Sequence, residues 1–282
     1  MWLLMVLAAC GPDPGDDTAP APGLEVVARV AGLSTPESVR CDGDVTCYVS
    51  NVSGDPSAED GDGFLSRITT DGEPLERRWA PDLVSGPLSL DAPKGMDIAD
   101  GVLYVADITR VCAVSLADAT AGTPLAVDGA VFLNDVAASP DGTLFFTDTS
   151  TGRIYRRDGS RDPAPITEEG VLDQPNGIVV VDDDLWVVSF GSPALYDLSA
   201  DGRLLATFDM PAAGLDGLIV DRDGRFLVSS WDASGVYEGR PGGDWTLVAG
   251  DLPGPADLGY DGATHRLFVP LFDEGEVVVL QL

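Results

Sequence analysis

Short apolar segments recur along the chain at a constant spacing. They begin at residues 103, 144, 185, 226 and 267, each 41 residues after the one before, and Cys47-Tyr48-Val49-Ser50 is a further copy upstream. Each copy follows a shorter apolar segment and an Asp/Gly turn, and precedes a polar loop and two more apolar segments. Four short strands in roughly 40 residues are typical of one propeller blade. The pattern predicts an all-β fold, a six-bladed β-propeller with four antiparallel strands per blade.

The two ends of the repeat region predict how the propeller closes. The last copy stops after its third strand, Val277-Val278-Val279-Leu280, and the early apolar segment Leu24–Val30 has no other partner. We expect this N-terminal segment to supply the outer strand of the last blade, which removes an open sheet edge. The predicted propeller domain spans residues 23–282.

The first ten residues are apolar and end in Leu7-Ala8-Ala9-Cys10. This ending resembles a bacterial lipoprotein signal, in which the cysteine is lipidated; a truncated ordinary signal with a chance cysteine is the alternative. We expect residues 1–10 to be a lipoprotein-type signal segment, Cys10 its lipidation site and residues 11–22 a Pro/Asp-rich tether. The expected location is outside the cytoplasm, in a bacterial cell envelope, periplasmic or anchored to the outer membrane.

The charge balance limits the partners. The chain has 16 Lys+Arg against 47 Asp+Glu, a net charge of -31. Phosphate backbones require a basic surface, so nucleic acid is a poor partner and a membrane is expected only through the lipid anchor. Asp-Gly turns explain part of the acidity, and a salt-adapted surface is the other explanation. We expect a monomer that accepts cations.

Cysteine and histidine give little catalytic signal. Export permits a disulfide, and Cys41 and Cys47 flank a predicted hairpin that they could bridge, with Cys112 as a buried small residue. The one histidine, His265, precedes a strand, where a surface or half-buried role is expected. A Ser-His-Asp triad therefore has little support.

Polar residues recur where the first strand of each blade begins. When the predicted first strands of the six blades are aligned, one position is occupied in turn by Glu37, Met96, Asn134, Asn176, Asp216 and Ala256. Innermost strands begin at one mouth of the channel, so these side chains should converge near its axis. Two carboxylates and two carboxamides suit Ca²⁺, Mg²⁺ or Mn²⁺, whereas zinc usually prefers nitrogen or sulfur. The alternative is that Asn-Asp, Asn-Gly and Asp-Gly here are merely turns.

Three segments carry a resemblance to a known family. Leu133–Asp148, Pro175–Ile178 and Leu215–Gly224 resemble the third-, fourth- and fifth-blade motifs of the SMP-30/gluconolactonase family, over roughly residues 30–282. The resemblance implies a metal-dependent lactone hydrolase with one divalent cation, calcium first and Mn, Mg or Zn as alternatives. It implies Glu37, Asn176 and Asp216 as metal ligands and Asp216 as the acid/base. Asn134 would contact the metal through water or bind substrate.

The chain also departs from the family pattern. Phe132 stands where some sugar-lactone hydrolases place Arg, which puts sugar specificity in doubt. The acidic insertion 53–63 joins the second and third strands of blade one, as a lid, a second cation site or a mobile solvated loop. Equivalent connections in other blades carry candidates for the mouth lining: Asp148, Phe190, Trp231, Asp232 and Phe272. Among these, Trp231 and Phe190 are expected to contact an apolar or ring-shaped substrate.

Two functions of different class follow from the sequence. The first is a divalent-metal-dependent lactonase or ester hydrolase that uses a metal-activated water and Asp216 at the propeller mouth. The second is a non-catalytic cell-surface propeller that binds a protein, peptide or glycan. A fold by itself does not decide between them.

Overall fold

The computed structural model describes residues 23–80 and 89–282. These residues form strands and turns and no α-helix, so none of them forms a helix long and apolar enough to cross a bilayer. The expected signal segment 1–10 with Cys10, and the tether 11–22, lie outside the described residues.

The described strands form six sheets of four strands each. The chain enters the propeller with β1 (Glu25–Ala31). The strands of blades one to three are β2 (Pro36–Cys41), β3 (Thr46–Asn51), β4 (Phe64–Thr69), β5 (Pro74–Trp79), β6 (Pro93–Ala99), β7 (Val102–Asp107), β8 (Arg110–Ser115), β9 (Leu125–Ala126), β10 (Leu133–Ala138), β11 (Leu144–Asp148), β12 (Arg153–Arg157) and β13 (Ala164–Pro165). The strands of blades four to six are β14 (Pro175–Val181), β15 (Asp184–Ser189), β16 (Ala194–Ser199), β17 (Leu204–Asp209), β18 (Leu215–Val220), β19 (Phe226–Ser230), β20 (Gly235–Gly239), β21 (Trp245–Ala249), β22 (Gly259–Asp261), β23 (Arg266–Leu271) and β24 (Glu276–Gln281).

Blade six is closed by the N-terminal strand. The sheet order is β1-β24-β23-β22, and β1 runs antiparallel to β24 from the Glu25–Gln281 pair to the Ala31–Glu276 pair. The outer edge of β24 is thereby paired, and the two ends of the described chain are held together in one sheet. The predicted six-bladed architecture and its closure by the N-terminal strand are both confirmed.

The core lies between neighbouring blades. Six clusters of buried apolar side chains each join two adjacent blades, and together they form a closed circle. The cluster between blades six and one includes Val30 of β1 with Val39, Val277 and Phe268. Such packing follows from the strand pattern, because a strand buried on both faces of its sheet reads as a continuous apolar run.

The two ends of the propeller differ in chemistry. One end, the turn end, holds the hairpins between the first and second strands, where Asp-Gly turns place Gly142 and Gly224 at positive φ. The cysteines Cys41 and Cys47 pair at this end, across β2 and β3, in a disulfide. His265 is half-buried there and contacts the hydroxyl of Tyr260. The opposite end, where the first strands begin, is the mouth.

The closure of blade six yields a stability prediction. Val30 is 4% exposed in the core and Val26 of the same strand is 49% exposed. Val30→Asp places a charge among apolar side chains, so we expect the melting temperature to fall by roughly 10 °C or more. Val26→Asp, the matched control, should change it by at most about 2 °C. Thermal unfolding followed by circular dichroism measures both, and equal shifts would contradict a structural role for β1.

Candidate functional site

The first strands of blades one to five share one irregularity. In β2, β6, β10, β14 and β18, pairing with the next strand is interrupted between the first and fourth residues. A bulge takes a residue out of the ladder and re-aims its side chain. The second residue of each strand lies in this bulge and lines one cavity of about 320 Å³, the mouth cavity. We call these five the ring residues: Glu37, Lys94, Asn134, Asn176 and Asp216.

The blade-two ring position differs from the sequence expectation. The expected phase placed Met96 there, but Met96 is buried in the apolar cluster between blades one and two, and Lys94 lines the cavity. The first residue of β6, Pro93, pairs with the last residue of β7, so Lys94 is the second residue, as in the other blades. A signal was present, because Pro-Lys-Gly at 93–95 matches Pro-Asn-Gly at 175–177.

The Asn-Gly and Asp-Gly pairs at the ring are not turns. Gly177 lies within β14 and Gly217 within β18, and neither has a positive φ. A Cβ atom at Gly177 would overlap the carbonyl oxygen of Asp216, and one at Gly217 would overlap the backbone of Leu258. Glycine therefore permits the close approach of the next blade, and the turn alternative is wrong at these positions.

Four of the ring residues carry an oxygen that has no partner. Glu37 Oε2 and the Oδ1 atoms of Asn134, Asn176 and Asp216 are buried and accept no hydrogen bond from residues 23–80 or 89–282. A buried polar atom without a partner costs about 1–3 kcal/mol, so four in one cavity call for a ligand. Two anionic and two neutral oxygens are the donors that hard divalent cations take. The residues fit the cation that the family resemblance implies.

The charges of the ring support the same interpretation. Burial raises the pKa of Glu37 well above its usual range, and the carboxyls of Asp216 and Asp257 raise it further. Burial raises the pKa of Asp216 to about 8, with a smaller contribution from Asp257. Carboxylates this close disfavour each other's ionised form. A cation bound among them would stabilise both charges.

Lys94 brings a positive charge into the cavity wall. Burial lowers the pKa of its ammonium to about 8, and Glu37 opposes that shift. The Nζ atom donates to the carbonyl oxygens of Pro56 at 2.9 Å and Ala92 at 3.0 Å, and it lies 4.3 Å from the ring centre of Phe132. Lys94 thus partly balances Glu37 from an adjacent blade.

The acidic insertion 53–63 is attached at three points to blade two and the segment that leads into it. Pro56 lines the mouth cavity and accepts the hydrogen bond of Lys94, the amide of Gly61 donates to Asp91 Oδ1 at 3.0 Å, and the amide of Gly63 donates to the Leu90 carbonyl at 3.1 Å. The insertion therefore contributes one wall of the cavity.

Trp231 orients the carboxyl of Asp216. Its indole Nε1 donates to Asp216 Oδ2 at 2.8 Å, which leaves Oδ1 free in the cavity. The ring of Trp231 also lies edge-on to Phe190 at 5.8 Å and tilted against Phe272 at 5.6 Å. The expected substrate-binding residues Asn134, Trp231 and Phe190 thus all line the same cavity. Asp148 and Asp232 do not line it; the Asp148 carboxylate accepts the amides of Val131 and Phe132.

Polar contacts between described residues join five of the six pairs of neighbouring blades around the channel, just behind the ring. The contacts run from Arg40 to Asp97 (2.9 Å), Ala138 N to Asp97 (2.7 Å), Ile178 N to Asp135 (2.9 Å), Thr147 Oγ1 to the Asn176 carbonyl (2.7 Å), Ser229 Oγ to the Ala256 carbonyl (2.8 Å), and Asp257 N to the Glu37 carbonyl (2.9 Å). We call this set the belt. Because it includes the backbone of two ring residues, Glu37 and Asn176, it fixes their positions relative to the neighbouring blades.

A second group of possible ligands lies at the turn end. Single ligand atoms of Asp221, Asp223 and His265 lie within 4.8 Å of one another. Arg225 already binds the Asp221 carboxylate, and His265 Nδ1 faces Tyr260. This group is at the opposite end of the propeller from the mouth cavity and shares no residue with it.

Comparisons with known proteins identify the fold. No protein-family model matches the chain, and no curated protein sequence matches it. A gluconolactonase from Xanthomonas campestris is 18% identical with a TM-score of 0.68, covering 97% of this chain and 99% of that one. A putative gluconolactonase is also 18% identical with a TM-score of 0.68, and the match covers 93% of each chain.

Lyases share the fold as well. A catalytically inactive histidine-to-alanine variant of virginiamycin B lyase from Staphylococcus aureus is 16% identical with a TM-score of 0.62, covering 90% of this chain and 99% of that one. At such identities the likeness concerns the fold. The chain is therefore a six-bladed β-propeller similar to those of the SMP-30/gluconolactonase family, as its motifs predict.

Proposed function

We propose that this protein is a divalent-cation-dependent hydrolase that opens lactones in the mouth cavity. The observation that carries the proposal is the set of four buried oxygens without partners, one each from blades one, three, four and five. The motif resemblance and the gluconolactonases of the same fold support a lactone as the substrate. Carboxylic esters are the related class with the same reacting group.

The proposed cation ligands are Glu37, Asn176 and Asp216, with Asn134 in contact through water or bound to the substrate. Calcium is the first choice because every donor is an oxygen; manganese, magnesium and zinc are the alternatives. When bound, such a cation polarises a carbonyl oxygen and lowers the pKa of water. The carboxamides add no charge, so the two carboxylates and Lys94 determine the net charge of the site.

Asp216 has the properties of a general base. Trp231 holds one of its oxygens, and the other lies free in the cavity. In the proposed reaction the oxygen of a water molecule bonds to the lactone carbonyl carbon, and Asp216 accepts a proton from that water. It then returns the proton to the ring oxygen when the ring C–O bond breaks, which yields a hydroxy acid.

A lyase reaction that depends on histidine has less support. Loss of a histidine accompanies inactivity in the virginiamycin B lyase variant of the same fold. Here the one histidine is His265, at the turn end, and the residues that line the mouth cavity include none. Hydrolysis assisted by a carboxylate uses groups that the cavity does contain.

We also propose that the protein works outside the cytoplasm as a monomer held by a lipid on Cys10. The Cys41–Cys47 disulfide supports an oxidising compartment, where such bonds persist. Globomycin treatment of expressing cells, followed by mass spectrometry of the N-terminus, tests the lipidation.

The role of Asp216 can be tested by removing its charge. Asp216→Asn keeps the shape but cannot accept the proton, so we expect kcat for lactone hydrolysis to fall at least 100-fold, the usual contribution of a general base. The control is Asp244→Asn, an exposed carboxylate in the same blade, which should retain the wild-type rate. Proton release from a lactone panel measures turnover. A rate within about threefold of wild type in Asp216→Asn would refute the assignment.

Cation binding should stabilise the folded protein. A cation at 100 times its Kd adds about 2.7 kcal/mol, so we expect the melting temperature after chelator treatment to rise by roughly 5–10 °C on adding Ca²⁺. Glu37→Gln should lose most of that rise because one anionic donor is gone, whereas the exposed control Glu274→Gln should keep it. Repeating the titration with Mn²⁺, Mg²⁺ and Zn²⁺ ranks the metals. An identical rise in Glu37→Gln and wild type would place the cation elsewhere, for instance at the turn end.

A further inference from the structure

The mouth cavity has a second tier of residues above the ring. In every blade one residue follows directly after the second strand, and in blades two to six these residues are again 41 positions apart. We call the set the collar: Val52, Ile108, Thr149, Phe190, Trp231 and Phe272. Five of the six are apolar. Val52 and Ile108 are buried together, and Phe272 packs against them.

The open part of the collar faces the cavity. Thr149, Phe190, Trp231 and Phe272 line it, and Phe132 and Pro56 complete the wall. The four aromatic side chains of this wall are only partly buried, so their rings present apolar surface to whatever enters. Ligand sites commonly combine such an apolar wall with a few polar groups that fix orientation.

The polar groups of this wall already have partners. The Thr149 hydroxyl donates to the Pro175 carbonyl at 2.8 Å, and the indole N–H of Trp231 donates to Asp216. Lys94 gives two of its three hydrogens to backbone carbonyls, leaving one for an acceptor such as a lactone oxygen. Gln174 also lines the cavity above the ring, but it lies at the exposed rim, and its side chain makes no hydrogen bond to the described residues.

These contacts bear on which lactones the cavity can hold. A sugar lactone carries several hydroxyl groups, and each would lose its water on entering. A buried hydroxyl without a hydrogen-bond partner is strongly disfavoured. An alkyl or aryl substituent has the opposite preference, because it gains by leaving water for the aromatic wall.

We propose that the collar selects lactones whose ring carries an apolar alkyl or aryl substituent and disfavours polyhydroxylated ones. The inference rests on the proposed function, with the lactone carbonyl at the ring residues and the substituent against Phe190 and Phe272. Trp231 contacts both tiers, because its indole binds Asp216 while its face lies in the collar. The ring thus provides the chemistry, and the collar determines which substrate reaches it.

A series of γ-lactones with side chains from methyl to hexyl, compared with glucono-δ-lactone, tests the proposal. With wild-type protein and saturating Ca²⁺, we expect kcat/KM to rise roughly fourfold per methylene until the collar is filled. Glucono-δ-lactone should be the poorest substrate. Turnover of glucono-δ-lactone equal to or above that of the hexyl lactone would overturn the proposal.

Two variants test whether the dependence of kcat/KM on chain length comes from the collar or from other apolar surface. Phe190→Ala should flatten the dependence of kcat/KM on chain length, because it removes one apolar wall. Leu204→Ala truncates an exposed apolar side chain in the same blade and should keep the wild-type dependence. An unchanged dependence in Phe190→Ala would remove Phe190 from the selecting surface and contradict the proposal.

The binding of analogues that are not hydrolysed tests the proposed ligand preference without any turnover. Calorimetric titration of wild-type protein with γ-alkyl lactams should show Kd falling as the chain lengthens, with Phe190→Ala again flattening the trend. If no lactone is hydrolysed but this trend appears, the proposed hydrolase activity fails and the apolar ligand class stands. If lactones are hydrolysed but lactam affinity is independent of chain length, the activity stands and the ligand class fails.

Discussion

The belt of polar contacts around the channel is the constraint on which the site depends. Blades one to five each begin with a bulged strand, and a bulge leaves backbone groups without ladder partners. Neighbouring blades supply those partners: the Thr147 hydroxyl donates to the Asn176 carbonyl, and the Asp257 amide donates to the Glu37 carbonyl. The backbones of Asn176 and Glu37 are therefore held from two sides, by their own strand and by the adjacent blade. Glycine at 177 and 217 allows the blades to come close enough for this.

The same arrangement concentrates negative charge that the fold must tolerate. Besides the ring carboxyls, Asp135 and Asp257 are buried behind it, and burial raises the pKa of both, that of Asp257 to about 6. Two positively charged side chains lie near these carboxyls: the half-buried Arg40 pairs with Asp97 in the belt, and the buried Lys94 lies beside the ring. Neither binds the free oxygens of Glu37 or Asp216. A bound cation would supply the positive charge that Arg40 and Lys94 do not bring to the free oxygens of Glu37 and Asp216.

Because the blade is repeated, the ring residues proposed for the reaction and the collar residues proposed for substrate selection occupy different positions in a blade. The ring residue comes from the start of a blade's first strand, and the collar residue comes from the end of its second. Antiparallel pairing brings these two positions to the same mouth. The collar takes one residue from each blade and the ring one from each of blades one to five, so a change in one blade alters the cavity without changing the other blades. Within the described part of the chain, Trp231 is the collar residue whose side chain hydrogen-bonds to a ring residue, Asp216.

The sequence alone determined the architecture and most of the ring, because a 41-residue period of strands records local structure that each blade repeats. Glu37, Asn134, Asn176 and Asp216 were all found from their phase at the strand starts. Lys94 was missed and Met96, two positions further on, was chosen instead, although Pro-Lys-Gly at 93–95 matches Pro-Asn-Gly at 175–177. The pairing of Pro93 with Asp107 decides the phase of β6. Which oxygens lack partners, which donors of the wall are occupied, and how Trp231 reaches Asp216 are contacts between blades. Only the tertiary structure decided them, because they join residues that no local pattern relates.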